Sequence, residues 1–316
     1  EYLSLKFAAN ATMPVPTAHS NLVQKYVGTR HSKPTLRKLG GRLWTRQKDR
    51  AMAAVRDLAA DMIRVQAMRQ AIKGFSYPDT TPWQQQFTDE FLYTETEDQI
   101  TTMQQIDADL LTDRPMDRLV CGDVGYGKTE LAMRAAFKVA EAGRQVAVLV
   151  PTTVLADQHF RTFTERFADY PFEIDVISRF RTAGEQRKLL KKLVLGNMDI
   201  LIGTHRMLSE DVRFANLGLV VIDEEQRFGV EHKERLKSMR ASVDVMTLTA
   251  TPIPRTLHMA LLGLRDISSL MTAPMDRRSI HTEVCQYDPS LIRWAIEREL
   301  DRGGQVFFVH NRVGNI

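Results

Sequence analysis

Leu119-Val-Cys-Gly122-Asp-Val-Gly-Tyr-Gly127-Lys128-Thr129 decides the fold of this 316-residue chain. An apolar run enters the stretch, and Glu130 to Glu141 leaves it with helical patterning. Between them, residues 122–129 match GxxxxGK[ST]. Glycines let backbone N–H groups wrap phosphate oxygens, and a helix N-terminus adds positive potential. The order strand, glycine loop, helix is the context this motif requires. Gly122, Asp123, Val124, Gly125, Tyr126 and Gly127 are therefore expected to cradle a nucleotide. Lys128 is expected at the β- and γ-phosphates of ATP, and Thr129 on Mg²⁺.

Working outward, apolar runs rich in β-branched residues recur at 117–122, 145–150, 173–177, 198–203, 218–222 and 244–249. They lack clear alternation, as strands covered on both faces do. Helical stretches separate most of them. The expected fold is α/β, a doubly wound parallel sheet. Residues 280–287 and 304–311 read as strands of a second α/β lobe that the chain barely begins. Toward the N-terminus, Leu3, Leu5 and Phe7 alternate with polar positions, and Asn10 allows a turn before a strand at Met13 to Pro16. From Trp44 to Lys73 the period becomes helical, with Ala51, Val55, Leu58, Met62, Val65 and Ile72 on one stripe. Gly74 is the expected stop. The expected segments are thus a partial β module over 1–43, a linker helix over 44–74, a nucleotide-binding lobe over 75–268 and a second lobe from 269 to 316.

About 95 residues after Lys128, Asp223-Glu224-Glu225-Gln226 follows the apolar run Leu219 to Ile222. A carboxylate at the end of a parallel strand faces the ligand crevice. Asp223 is expected to hold Mg²⁺ and Glu224 to orient the attacking water. Thr249, Ala250 and Thr251 end another strand; alone they would be a plain strand end, but beside the other motifs they read as a relay between nucleotide and DNA. Thr96 and Gln99 form a capping box. Gln99 could equally bond adenine, with Phe91 stacking on the ring, and both readings stay open. Thr152, Thr153, Arg179, Thr204, His205 and Arg227 lie at or just beyond strand ends, where hydroxyls, amides and cations suit DNA phosphates. A packing role with solvated cations is the plain alternative. The same applies to Arg206 and Arg181 beside them. Arg187, Lys188, Lys191 and Lys192 read as a solvated helix face, and His159, His232 and His258 as structural.

Bulk properties agree. Hydrophobic residues at 43% suffice for a sizeable core. A net charge of +4 leans mildly toward a polyanionic partner. Cys121 and Cys285 show neither metal-ligand spacing nor a disulfide framework, which suits a reducing, cytoplasmic setting. No apolar run approaches the roughly 18 residues of a membrane span. Glu1 is not a natural start, and a piece of a longer protein is expected.

These residues resemble the superfamily 2 DNA helicases and translocases, and within them the branch that couples transcription to DNA repair. The resemblance rests on Met116 to Thr129, Ile177 to Arg181, Gly203-Thr-His205, Arg227-Phe-Gly-Val230, Thr247 to Thr256 and Gly304 to Arg312. Branched-DNA helicases of the RecG type share several of these motifs. The resemblance implies a RecA-like first helicase lobe that uses ATP and Mg²⁺. It also implies translocation on double-stranded DNA and a module at 1–43 that binds the RNA polymerase β subunit. Nucleotide excision repair proteins would be partners through domains outside this chain. Gln226 departs from the His that many superfamily members carry; Gln cannot become cationic. An arginine finger and a translocation hairpin, expected in the second lobe, are missing here. The rival readings are a RecG-type helicase and a non-enzymatic nucleotide- and partner-binding fragment.

Overall fold

The computed structural model describes residues 2–17, 23, 36, 38, 42–225, 228, 236, 242–251, 265–275 and 281–309. It divides into two units, residues 1–275 and 276–316. Gln226, Arg227, His232 and His258, named from the sequence, lie outside the described residues.

The first unit opens with β1 (Tyr2–Lys6) and β2 (Thr12–Pro16), antiparallel with Leu3 opposite Val15 and Leu5 opposite Met13. Asn10 takes a left-handed φ of 55° at the turn, a conformation its short polar side chain tolerates. Helix α1 (Arg42–Ala71) spans 30 residues, about 45 Å. It ends three residues before the expected stop. Gly74 follows it, packed where a Cβ would lie 2.8 Å from the Pro115 nitrogen. Close approach explains this glycine better than a helix cap.

Seven further strands form one parallel sheet: β3 (Asp117–Gly122), β4 (Gln145–Leu149), β5 (Ile174–Ile177), β6 (Ile200–Gly203), β7 (Leu217–Asp223), β8 (Asp244–Thr249) and β9 (Asp266–Leu270). Their order is β5-β6-β4-β7-β8-β3-β9, and every pairing is parallel. Helices α2 (Pro82–Asp89), α3 (Glu97–Leu110), α4 (Lys128–Glu141), α5 (Thr153–Arg166) and α6 (Ala183–Val194) accompany it. Successive side chains of a strand point to opposite faces. Accordingly Val146, Val148, Ile200, Ile202 and Val221 pack with Phe87, Phe137, Phe163 and Tyr170. Ala147, Leu149, Leu201, Val220 and Ile222 pack on the other side with Leu189, Leu193, Met207 and Phe228. Two covered faces explain why the strands read as unbroken apolar runs. Phe137 anchors the first layer, its ring 4.5 Å from Phe87 and 4.8 Å from Tyr170 between centroids. Truncating such a buried ring to alanine costs about 3–5 kcal/mol.

Strand β9 was not expected. Its sequence, DISSL, is too polar to stand out, and it borders only β3. Buried Ser268 is accommodated because Arg118 Nη1 donates to its Oγ at 2.9 Å. The expected lobe boundary at 268 cuts this strand. In the second unit, α7 (Pro289–Asp301) is capped by Asp288, whose Oδ1 accepts from the Ser290 amide at 2.9 Å. The expected strands at 280–287 and 304–311 are absent among the described residues there. A strand needs a neighbour for its backbone groups, and among the described residues these segments have no ladder partner.

Candidate functional site

All seven parallel strands present their C-terminal ends to one edge, and the sheet order sorts the candidate residues along it. Strands β7, β8 and β3 carry Asp223, Thr249 and the loop after Gly122. Strands β4, β5 and β6 lead into Thr152, Arg179 and Thr204. Among the described residues, the strand-end nucleotide candidates thus occupy one half of the edge and the DNA candidates the other, with β4 and β7 adjacent at the border.

In the glycine loop, Gly125 (φ 81°) and Gly127 (φ 79°) take left-handed backbone conformations. Gly127 caps α4, so the helix opens directly on Lys128. The Lys128 ammonium curls back to donate to the carbonyl oxygens of Gly122 (2.6 Å) and Asp123 (2.9 Å). Burial pulls its pKa below the ordinary lysine range, against the opposing fields of Asp223, Glu224 and Asp123. A cation held among carbonyls, open helix-terminal amides and two carboxylates fit a magnesium nucleotide: the donors suit phosphate and the acidic pair suits the metal.

Glu224 takes φ 52°, an unfavourable value for a residue with a Cβ and the kind of strain that gathers at functional sites. Its amide donates to Leu248 O at 3.0 Å, and its Oε1 accepts from the Ala250 amide at 2.9 Å. The Thr251 amide donates to Thr249 Oγ1 at 3.1 Å. The acidic motif is therefore wired to the Thr249-Ala250-Thr251 strand end. His159 Nε2 lies 3.2 Å from Asp223 Oδ2. The sequence reading of His159 as purely structural missed this contact.

The capping box is formed. Gln99 Oε1 accepts from the Thr96 amide at 2.9 Å, and Thr96 Oγ1 accepts from the Gln99 amide at 3.3 Å. Gln99 Nε2 donates to Tyr126 O at 2.9 Å, which ties α3 to the glycine loop. Arg134 lies over the Phe91 ring at 5.2 Å. Among DNA candidates, Thr152, Arg179 and His205 are exposed and Thr153 is half-buried, whereas Thr204 is buried. Thr152 Oγ1 caps α5 by accepting from the Leu155 amide at 3.2 Å. Arg206 and Arg181 are ion-paired: Arg206 forks onto Asp211 at 2.7 and 2.6 Å, and Arg181 pairs with Asp175. Several buried cations went unforeseen, Arg69 among them. Arg69, near the end of α1, is 2% exposed and donates to the carbonyls of Met116 and Val243.

A parallel sheet, a lysine-bearing glycine loop and a strand-end carboxylate pair together define a RecA-like nucleotide-binding lobe. The profile of the DEAD/DEAH box helicases matches residues 96–260, and the chain belongs to that family. It is 52% identical over its whole length to the transcription-repair-coupling factor of Bacillus subtilis (strain 168), and 49% to that of Escherichia coli (strain K12). It spans 27% and 28% of those proteins' lengths. Among solved structures it resembles RecG bound to a three-way DNA junction, with a TM-score of 0.67 and 31% identity. That match covers 85% of this chain and 36% of RecG. No helix among the described residues is long and apolar enough to cross a membrane.

Proposed function

We propose that this chain is the ATP-binding lobe of a double-stranded DNA translocase that acts on stalled RNA polymerase. The observation that carries the reading is the wiring of Glu224 to Ala250 beside Lys128. It joins a water-orienting carboxylate to a strand end that can report on DNA.

In this reading Phe91 and Gln99 hold adenine, and the amides of 122–129 hold the phosphates. Lys128 leaves the Gly122 and Asp123 carbonyls for the β- and γ-phosphates. Thr129 and Asp223 hold Mg²⁺, which when bound neutralises charge developing on the phosphoryl oxygens. Glu224 orients the attacking water and accepts its proton. Gln226 donates a hydrogen bond where a His would supply one. Thr152, Thr153, Arg179, Thr204, His205 and Arg227 contact the DNA backbone, Thr204 through main-chain groups because its side chain is buried. Phosphate contacts of this kind position a strand without reading its sequence.

RNA polymerase β as partner of the β1–β2 module, and recruitment of excision-repair proteins by domains beyond this chain, rest on the likeness to transcription-repair-coupling factors. The RecG likeness favours branched DNA as a second reading, but at 31% identity against 49–52%. The test is ATP hydrolysis by the full-length protein with and without linear duplex. Duplex should stimulate turnover, and Glu224→Gln should lower it by about 10² or more, the scale of losing one transition-state contact. Turnover indifferent to duplex, or stimulated only by branched junctions, would overturn the proposal.

A further inference from the structure

Helix α5 follows β4 in the DNA half of the sheet edge and begins at Thr152 and Thr153. On its inner face lies His159, buried beside Phe163 with ring centroids 6.3 Å apart. Its Nε2 reaches across the border between the two halves to Asp223 Oδ2, 64 residues away, at 3.2 Å. Its other nitrogen, Nδ1, is buried and has no hydrogen-bond partner among the described residues. An ionised carboxylate can only accept, so Nε2 carries the hydrogen and donates.

A histidine used only as core filler would gain most from pairing both nitrogens. Here, among the described residues, one buried nitrogen goes without a partner while the other is committed to a single carboxylate oxygen. Resting on the reading of Asp223 as the Mg²⁺ carboxylate, we infer that His159 is a positioning residue. It fixes the Asp223 carboxylate in the rotamer that presents its other oxygen, Oδ1, to the metal. Carboxylates that bind metals are themselves held by outer hydrogen bonds, and losing such a partner typically lowers metal affinity by 10–100-fold. The contact also makes α5 a direct mechanical link between a DNA-facing helix start and the metal carboxylate.

The test uses a fluorescent ADP analogue bound to the 316-residue chain, titrated with Mg²⁺ and, separately, in EDTA. His159→Leu should raise the Mg²⁺ concentration for half-maximal effect by about tenfold or more, with binding in EDTA unchanged. His159→Gln, which restores a donor of similar reach, should return the midpoint toward wild type. If His159→Leu does not fold, His159→Asn, too short to reach Asp223, replaces it. Asp223→Asn is the control. If it leaves the Mg²⁺ midpoint unmoved, the assignment of Asp223 fails and the inference with it. If Asp223→Asn shifts the midpoint but His159→Leu does not, the inference alone fails. Equal weakening by His159→Leu with and without Mg²⁺ would likewise reduce His159 to a packing role.

Discussion

Replacing Gly127 by alanine tests the glycine loop through two separable costs. The first is conformational. Gly127 sits at φ 79°, where a Cβ costs roughly 1–2 kcal/mol. The second is a collision, because a Cβ there would lie 2.3 Å from Gln99 Nε2. Gln99 must withdraw and give up its 2.9 Å hydrogen bond to Tyr126 O, worth about 0.5–1.5 kcal/mol. Together they predict a loss of about 1.5–3.5 kcal/mol. Urea unfolding of the chain measures it. In a Gln99→Ala background only the conformational part should remain, about 1–2 kcal/mol. A cost for Gly127→Ala below about 0.5 kcal/mol, or the same cost in both backgrounds, would refute this reasoning.

Two further outcomes follow from groups elsewhere in the lobe. Burial raises the Asp244 carboxyl from 3.8 to about 6, only partly opposed by the Met116 amide it accepts from. The folded state therefore binds this proton more tightly than the unfolded one. The stability it contributes is complete below about pH 4 and is lost as pH rises through 6, a change on the order of 3 kcal/mol. Urea midpoints across pH 4–7 should show that slope in wild type and lose it in Asp244→Asn; an identical slope in both would exclude Asp244 as its source. DNA affinity of the full-length protein should be indifferent to base sequence and fall steeply with salt. Arg179→Ala should reduce the magnitude of the log–log slope by about 1; a sequence preference that persists at high salt would contradict backbone binding.

What could be read ahead of the structure was set by local chemistry. Strands such as Val146–Leu149 and Leu219–Ile222 were legible because both faces are covered, so burial leaves an unbroken apolar run. The glycine loop and the acidic motif stand out in the sequence because the phosphate and metal chemistry proposed for them would fix residue types at short spacing. Strand β9 was not, since Ser268 is buried through a hydrogen bond from Arg118, a partner 150 residues away. The contact of His159 with Asp223 and the burial of Arg69 under Met116 are likewise tertiary and leave no periodic trace. Arg206 read as a strand-end cation suited to phosphate because its pairing with Asp211, five residues on, forms only in the folded turn. The runs around 281–287 and 304–309 have β propensity but no strand neighbour among the described residues, and propensity alone does not make a sheet.

The central claim, that residues 122–129 with Asp223 bind a magnesium nucleotide, is tested most directly by equilibrium binding of a non-hydrolysable ATP analogue to the chain and to Lys128→Ala. Lys128 serves the loop rather than the core. Its loss should therefore weaken Mg²⁺-dependent binding by about tenfold or more, the scale of one charged hydrogen bond, and leave the chain folded. Equal affinity in the two proteins, or a Lys128→Ala chain that fails to fold, would contradict it.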